Sequence, residues 1–182
     1  MLSVRNILRI SLMVVLGMAF TLGIQAQDQK RKSPPIETKA MVGDASITIN
    51  YSAPYVKGRT IFGDLEEWGE LWRTGANEAT VFEVSKDISV EGTTLPAGKY
   101  ALFSIPNPDK WTIILNSVFD QWGHYDYDQG KDVLRVDVTP SNTDTVTEQM
   151  NIAVEEMDGK QYVVIAWDHT KVPFEVGPAT TN

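Results

Sequence analysis

Apolar residues in this chain recur at every second position far more often than at every third or fourth. That period commits most of the chain to half-buried strands. Over residues 45–51, Ala45, Ile47, Ile49 and Tyr51 fall on one face, with Ser46, Thr48 and Asn50 on the other. Residues 133–138 set Leu134, Val136 and Val138 against Val133, Arg135 and Asp137. Residues 171–176 place Val172, Phe174 and Val176 together, and Pro173 opposite them marks an edge strand. Residues 100–105, 111–115 and 162–167 are apolar on both faces and belong at the middle of sheets. Asp158-Gly159 is a strong two-residue hairpin signal, and Gly43-Asp44 and Glu91-Gly92 mark two further reversals. About nine short strands with turn signals every 8–12 residues predict an all-β, antiparallel β-sandwich. One segment is expected to be helical. Asp64 and Glu67 have the spacing of a capping box, and Leu65, Trp68, Leu71 and Trp72 follow at helical spacing, forming a short helix across one end.

The remaining segments set location. Residues 1–26 read as a secretory signal peptide, with Arg5 and Arg9 before an apolar run that ends near Ala26. Removing it takes away two arginines and no acidic residue, so the net charge moves from −8 to −10. That balance excludes a nucleic-acid binder, which needs a basic stripe. The 182 residues contain no cysteine, which excludes disulfides, thiolate metal sites, a cysteine nucleophile and a lipid-modified N-terminal cysteine. The expectation is an exported protein, periplasmic or secreted, not lipid-anchored and without stable membrane insertion once the leader is cleaved. Residues 27–36, with Lys30, Arg31, Lys32 and Ser33-Pro34-Pro35, read as a flexible linker, 37–176 as the sandwich domain and 177–182 as a frayed tail.

Four phrases are more specific than these patterns: YSAPYVKGRTIFG at 51–63, WRTGANEAT at 72–80, LPAGKYALFSIP at 95–106 and WGHYDY at 122–127. Together they resemble the family catalogued as domain of unknown function 2911, over about residues 37–176. The resemblance implies an exported single-domain protein of Bacteroidetes origin and carries no established activity.

Candidate site residues follow from chemistry. Arg73 offers a planar fork of donors, Asn77 a donor and an acceptor, Glu78 an acceptor or an acid/base, and Trp72 a stacking face. The same segment also reads as a structural Arg73–Glu78 ion pair pinning loop to sheet. Arg59 either converges with Arg73 on an anion or bonds loop carbonyls. Trp122 and Tyr125 form either a carbohydrate platform on an exposed loop or part of the core. His124, Asp126 and Asp128 have the period-two spacing of a metal site, and Asp126, Asp128, Gly130 and Asp132 carry a faint calcium-loop pattern. Acidic turns are usually just solvated, however, and neither a metal nor another cofactor is expected. No nucleophile-elbow, zinc-protease or phosphate-loop motif occurs. Three functions stay open: a binding module for a glycan or small anionic ligand, a hydrolase using Glu78 as acid/base, and an envelope interaction protein with no small ligand.

Overall fold

The computed structural model describes residues 31–179. The signal-peptide reading and residues 27–30 of the linker lie outside the described residues, as does the end of the tail. The described chain is all-β, with ten strands in two antiparallel sheets.

The first sheet has the order β1-β2-β3-β6-β7-β8. Its strands are β1 (Pro35–Val42), β2 (Ala45–Ser52), β3 (Ala76–Val84), β6 (Gly98–Ile105), β7 (Trp111–Asn116) and β8 (Asp132–Val138). The second has the order β5-β4-β10-β9, from β4 (Ile88–Val90), β5 (Thr93–Leu95), β9 (Ser141–Met157) and β10 (Lys160–Pro178). The three reversals lie where the sequence places them. Gly43 (φ +59) turns β1 into β2, Glu91 and Gly92 (φ +47 and +76) turn β4 into β5, and Asp158 and Gly159 (φ +53 and +76) turn β9 into β10. Ile49, Phe82, Leu102 and Leu115 from the first sheet and Val90, Ile152, Ile165 and Phe174 from the second are buried in one shared cluster. The inner faces of the two sheets therefore build one core.

Of the doubly apolar strands, β6 and β7 are interior as expected, with neighbours on both sides, whereas residues 162–166 of β10 pair with β9 alone and β4 joins β10 only at residues 176–178. On the outer face of the first sheet, Ala79, Ala101, Phe103 and Ile114 form a second, smaller cluster, with Leu71, Ile105 and Tyr127 packed on it.

Four expectations are corrected. The helix at 64–72 is absent, and the only helical turn among the described residues is the 3₁₀ turn Gln129–Lys131. Gly63 (φ +90) and Gly69 (φ +81) interrupt the segment in the left-handed region. Two turns of helix are also too short to persist without a packing partner for their whole apolar face. The strands are not all short: β9 and β10 are 17 and 19 residues long. Pro173 sits in an interior strand, not at an edge. It falls between the last β9 pairing at Lys171 and the first β4 pairing at Val176, so no ladder needs its missing N–H. Finally, β1 begins at Pro35, inside the stretch read as linker.

Candidate functional site

Two irregularities in the strands create the site. The β2–β3 register jumps from Asn50↔Val81 to Ser52↔Ala76, so residues 77–80 bulge opposite Tyr51. The β9–β10 register jumps from Ala166↔Asn151 to Asp168↔Thr147, leaving Trp167 opposite residues 148–150. That part of β9 pairs instead with the loop after β2. Val56 N–H donates to the Glu148 carbonyl (2.8 Å), Met150 N–H to the Pro54 carbonyl (2.8 Å), and Lys57 N–H to Glu148 Oε1 (2.9 Å). The loop carrying Arg59 is thereby pinned beside Trp167.

Between these features opens a cavity of about 480 Å³. Its lining includes Lys32, Lys57, Arg59 and Arg73, with Glu66 and Trp167. Four cations against one carboxyl make it a positive concavity on a chain of net charge −8. Two of its donors are buried and have no hydrogen-bond partner among the described residues: Arg73 Nε and the indole Nε1 of Trp167, a residue only 1% exposed. Buried donors are rarely left unpaired. Burial pushes the Glu66 carboxyl up to about 7, against the pull of Arg73 and Arg59. Its backbone is fixed by a tight loop, in which Glu66 N–H donates to the Ile61 carbonyl and Gly63 N–H to the Glu66 carbonyl (2.9 and 2.8 Å).

The sequence-predicted residues separate into three places. Arg59 and Arg73 come together on the cavity. Arg59 also bonds the loop itself, as the second reading of that residue has it: Nε donates to the Val56 carbonyl (3.0 Å) and Nη2 to the Tyr55 carbonyl. Glu78 and Trp122 pair across a short bridge and line a different, open cleft, which removes the expected Arg73–Glu78 grouping. Asn77, at φ +61, lies between the two, its amide 3.5 Å from the Ser33 carbonyl. Tyr125 is 78% exposed beside His124 and lines neither space.

Trp72 is the clear correction. It is 1% exposed, stacked on Trp167 (5.8 Å, 18°) and edge-on to Phe62 and Trp111, and its Nε1 donates to the Gly75 carbonyl (3.1 Å). Its backbone exchanges hydrogen bonds with Ser104 of β6, four residues before β3 begins. Most of the 72–80 phrase is thus fold. Thr80 Oγ1 donates to the Thr74 carbonyl (2.7 Å), and a Cβ on Gly75 would lie 2.9 Å from Thr80 Oγ1 and 3.2 Å from the Ser52 carbonyl. Gly75→Ala is therefore expected to destabilise by about 1–3 kcal/mol, the usual cost of overpacking. A urea midpoint unchanged from the parent would show that this turn relaxes freely.

The acidic turn is occupied with its own hydrogen bonds. Asp132 accepts from Tyr127, Arg135 and Asn116 (2.7–2.8 Å), and Asp128 caps Gly130 N–H. No group of three or more potential metal ligands occurs among the described residues.

Glu66, Lys57 and Trp167 were not legible as site residues. Glu66 falls between the capping residues Asp64 and Glu67 of the expected helix, and Trp167 reads as strand core. Only the β9–β10 bulge, invisible in the sequence pattern, brings Trp167 to the cavity wall.

Fold and cavity together define an all-β, two-sheet protein with a cationic recess between strand bulges and a pinned loop. The profile of the family described as protein of unknown function (DUF2911) matches residues 33–176, and the chain belongs to that family. No curated protein matches the chain, and no solved structure does.

Proposed function

We propose that this protein is an exported binding module, periplasmic or secreted, whose β-sandwich scaffold holds a small anionic ligand in the cavity around Arg59 and Arg73. A carboxylate-bearing compound, acidic sugars included, fits that chemistry. The observation that carries the reading is the convergence of the two arginines with the unpaired buried donors Arg73 Nε and Trp167 Nε1. A guanidinium recognises a carboxylate by parallel N–H···O bonds, and an indole N–H adds a single directed donor. A largely pre-formed, partly apolar recess with a few convergent polar groups is the usual form of a ligand site. The export reading rests on residues 1–26.

The test is calorimetric titration at low salt with uronic acids, mono- and dicarboxylates and sugar phosphates. One class of anion is expected to bind. Arg73→Ala should lower that affinity about 10- to 100-fold, the effect of losing a charge-assisted hydrogen bond worth about 1.5–3 kcal/mol. An unchanged affinity in a folded Arg73→Ala protein, or no binding by any anion, would remove this reading.

A further inference from the structure

The second cleft has a different chemistry. It holds about 570 Å³ and lies on the outer face of the first sheet. Its floor is Asn50, Val81 and Glu83 from β2 and β3, with Lys99 from β6. The inward neighbours Ile49, Phe82 and Val84 belong to the core, so these floor residues project the other way. Its wall is the loop after β7, with Phe119, Asp120, Gln121 and Trp122.

That wall is held rigidly. Ala79 N–H donates to the Gln121 carbonyl and Gly123 N–H to the Asn77 carbonyl (both 3.0 Å), which straps the loop along the start of β3. Val118 N–H donates to Asn116 Oδ1 (2.9 Å), and Gln121 Nε2 to the Val118 carbonyl (2.7 Å). Yet Trp122 is 57% exposed and Phe119 37% exposed. A large aromatic side chain on a strapped loop loses little conformational entropy on binding. Gln121 supplies the second observation. The residue is 8% exposed, lines the cleft, and its Oε1 is buried with no hydrogen-bond partner among the described residues.

We propose that this cleft is a subsite for a neutral saccharide. The apolar C–H face of a sugar ring packs on an indole, while its hydroxyls donate to amide and carboxylate oxygens at the rim. Trp122 and Phe119 supply the stacking surface; Asp120 and Glu78 supply carboxylate oxygens, the Asn50 amide lies on the floor, and Gln121 Oε1 is the buried acceptor still unpaired among the described residues. A cationic ligand is the competing occupant, because Glu78, Glu83 and Asp120 line the cleft against Lys99 alone, which engages Glu83 (3.1 Å). The exposed aromatic pair favours the sugar ring, and the trilysine arm of the test separates the two. The site is independent of the cationic cavity. The two share no lining residue: the cavity takes Gly75 and Ala76, and the cleft takes Glu78 and Ala79.

The test is an NMR titration of the protein with neutral oligosaccharides of three to six units, linked through glucose, N-acetylglucosamine, mannose, galactose or xylose. At least one is expected to bind and to shift the Trp122 indole resonance. Trp122→Ala should weaken that binding at least about tenfold, while Arg73→Ala leaves it within about twofold. Far-UV dichroism checks that both variants remain folded. A flat response across the panel at about 10 mM overturns the proposal. So does binding that is indifferent to both Trp122→Ala and Phe119→Ala, and so does a cleft that takes only a trilysine peptide. Anion binding at Arg73 that survives Trp122→Ala separates failure here from failure of the cationic cavity.

Discussion

Trp72→Ala is expected to destabilise the protein by about 3–5 kcal/mol, the range for deleting a fully buried tryptophan. Trp122→Ala should stay within about 0.5 kcal/mol of the parent. The contrast follows from surroundings, since the two side chains are chemically identical. Trp72 stacks on Trp167, meets Phe62 and Trp111 edge-on, and ties its indole N–H to the carbonyl of Gly75. Removing it opens a void shared by three aromatic neighbours and frees the Gly75 carbonyl. Against a typical domain stability of about 5–15 kcal/mol, that loss is a large fraction of the total. Urea unfolding of the two variants, followed by far-UV dichroism, measures both values. A loss below about 1 kcal/mol for Trp72→Ala would mean that the aromatic cluster repacks around the gap. Because Trp167 belongs to the cluster and to the cavity wall, Trp72→Ala should also loosen the cationic site, although Trp72 does not line it.

Period-two patterning located β2, β8 and the second half of β10 almost to the residue, because one buried face per strand leaves a strict alternation. Turn chemistry located the three hairpins, since each needs left-handed backbone that glycine or a neighbouring Glu or Asp supplies. Residues 141–150 escaped notice because they carry almost no apolar signal. Their pairing with β10 and with the loop at 54–57 is carried by backbone hydrogen bonds. The segment 61–72 misled for the opposite reason. Leu65, Trp68 and Trp72 do repeat at helical spacing, but Trp72 reaches the core by bridging to Ser104, and Trp68 stacks on Phe62 across the position where Gly63 has no side chain. The candidate site was legible residue by residue and not as an assembly. Arg59 and Arg73 are both cationic forks in distinctive phrases, and they do meet. Whether Glu78 faces with Arg73 or away from it depends on the bulge at residues 77–80, which alternation cannot reveal.

Glu66→Gln is expected to flatten a pH dependence that the parent shows between about pH 4.5 and 7. The Glu66 carboxyl has its folded value raised to about 7, chiefly by burial, from an ordinary 4.5. Over that window the folded state holds a proton that the unfolded state has released. Its contribution is therefore fully present below pH 4.5 and is lost as the pH rises through 7. With solvent screening at a half-buried position allowed for, the loss is about 1–3 kcal/mol. His124 works in the other direction, because burial and the charge of Arg73 lower its value. Asp44 and Asp137, lowered by Lys86 and Lys110, act only at more acid pH. Comparing Glu66→Gln with the parent at each pH cancels these common contributions, so the difference curve isolates Glu66. The substitution removes the ionisable carboxyl, and the variant should be the more stable protein at pH 8. The same ionisation governs the cavity. Below pH 7 a neutral Glu66 leaves Lys32, Lys57, Arg59 and Arg73 unopposed, and an anion should bind more tightly there than at pH 8. Thermal unfolding from pH 4.5 to 8.5, with and without a bound uronic acid, measures both effects. Parallel stability curves for parent and variant would show that Glu66 titrates at its ordinary value. An anion affinity in the variant that still falls steeply through pH 7 would place the titrating group elsewhere in the cavity.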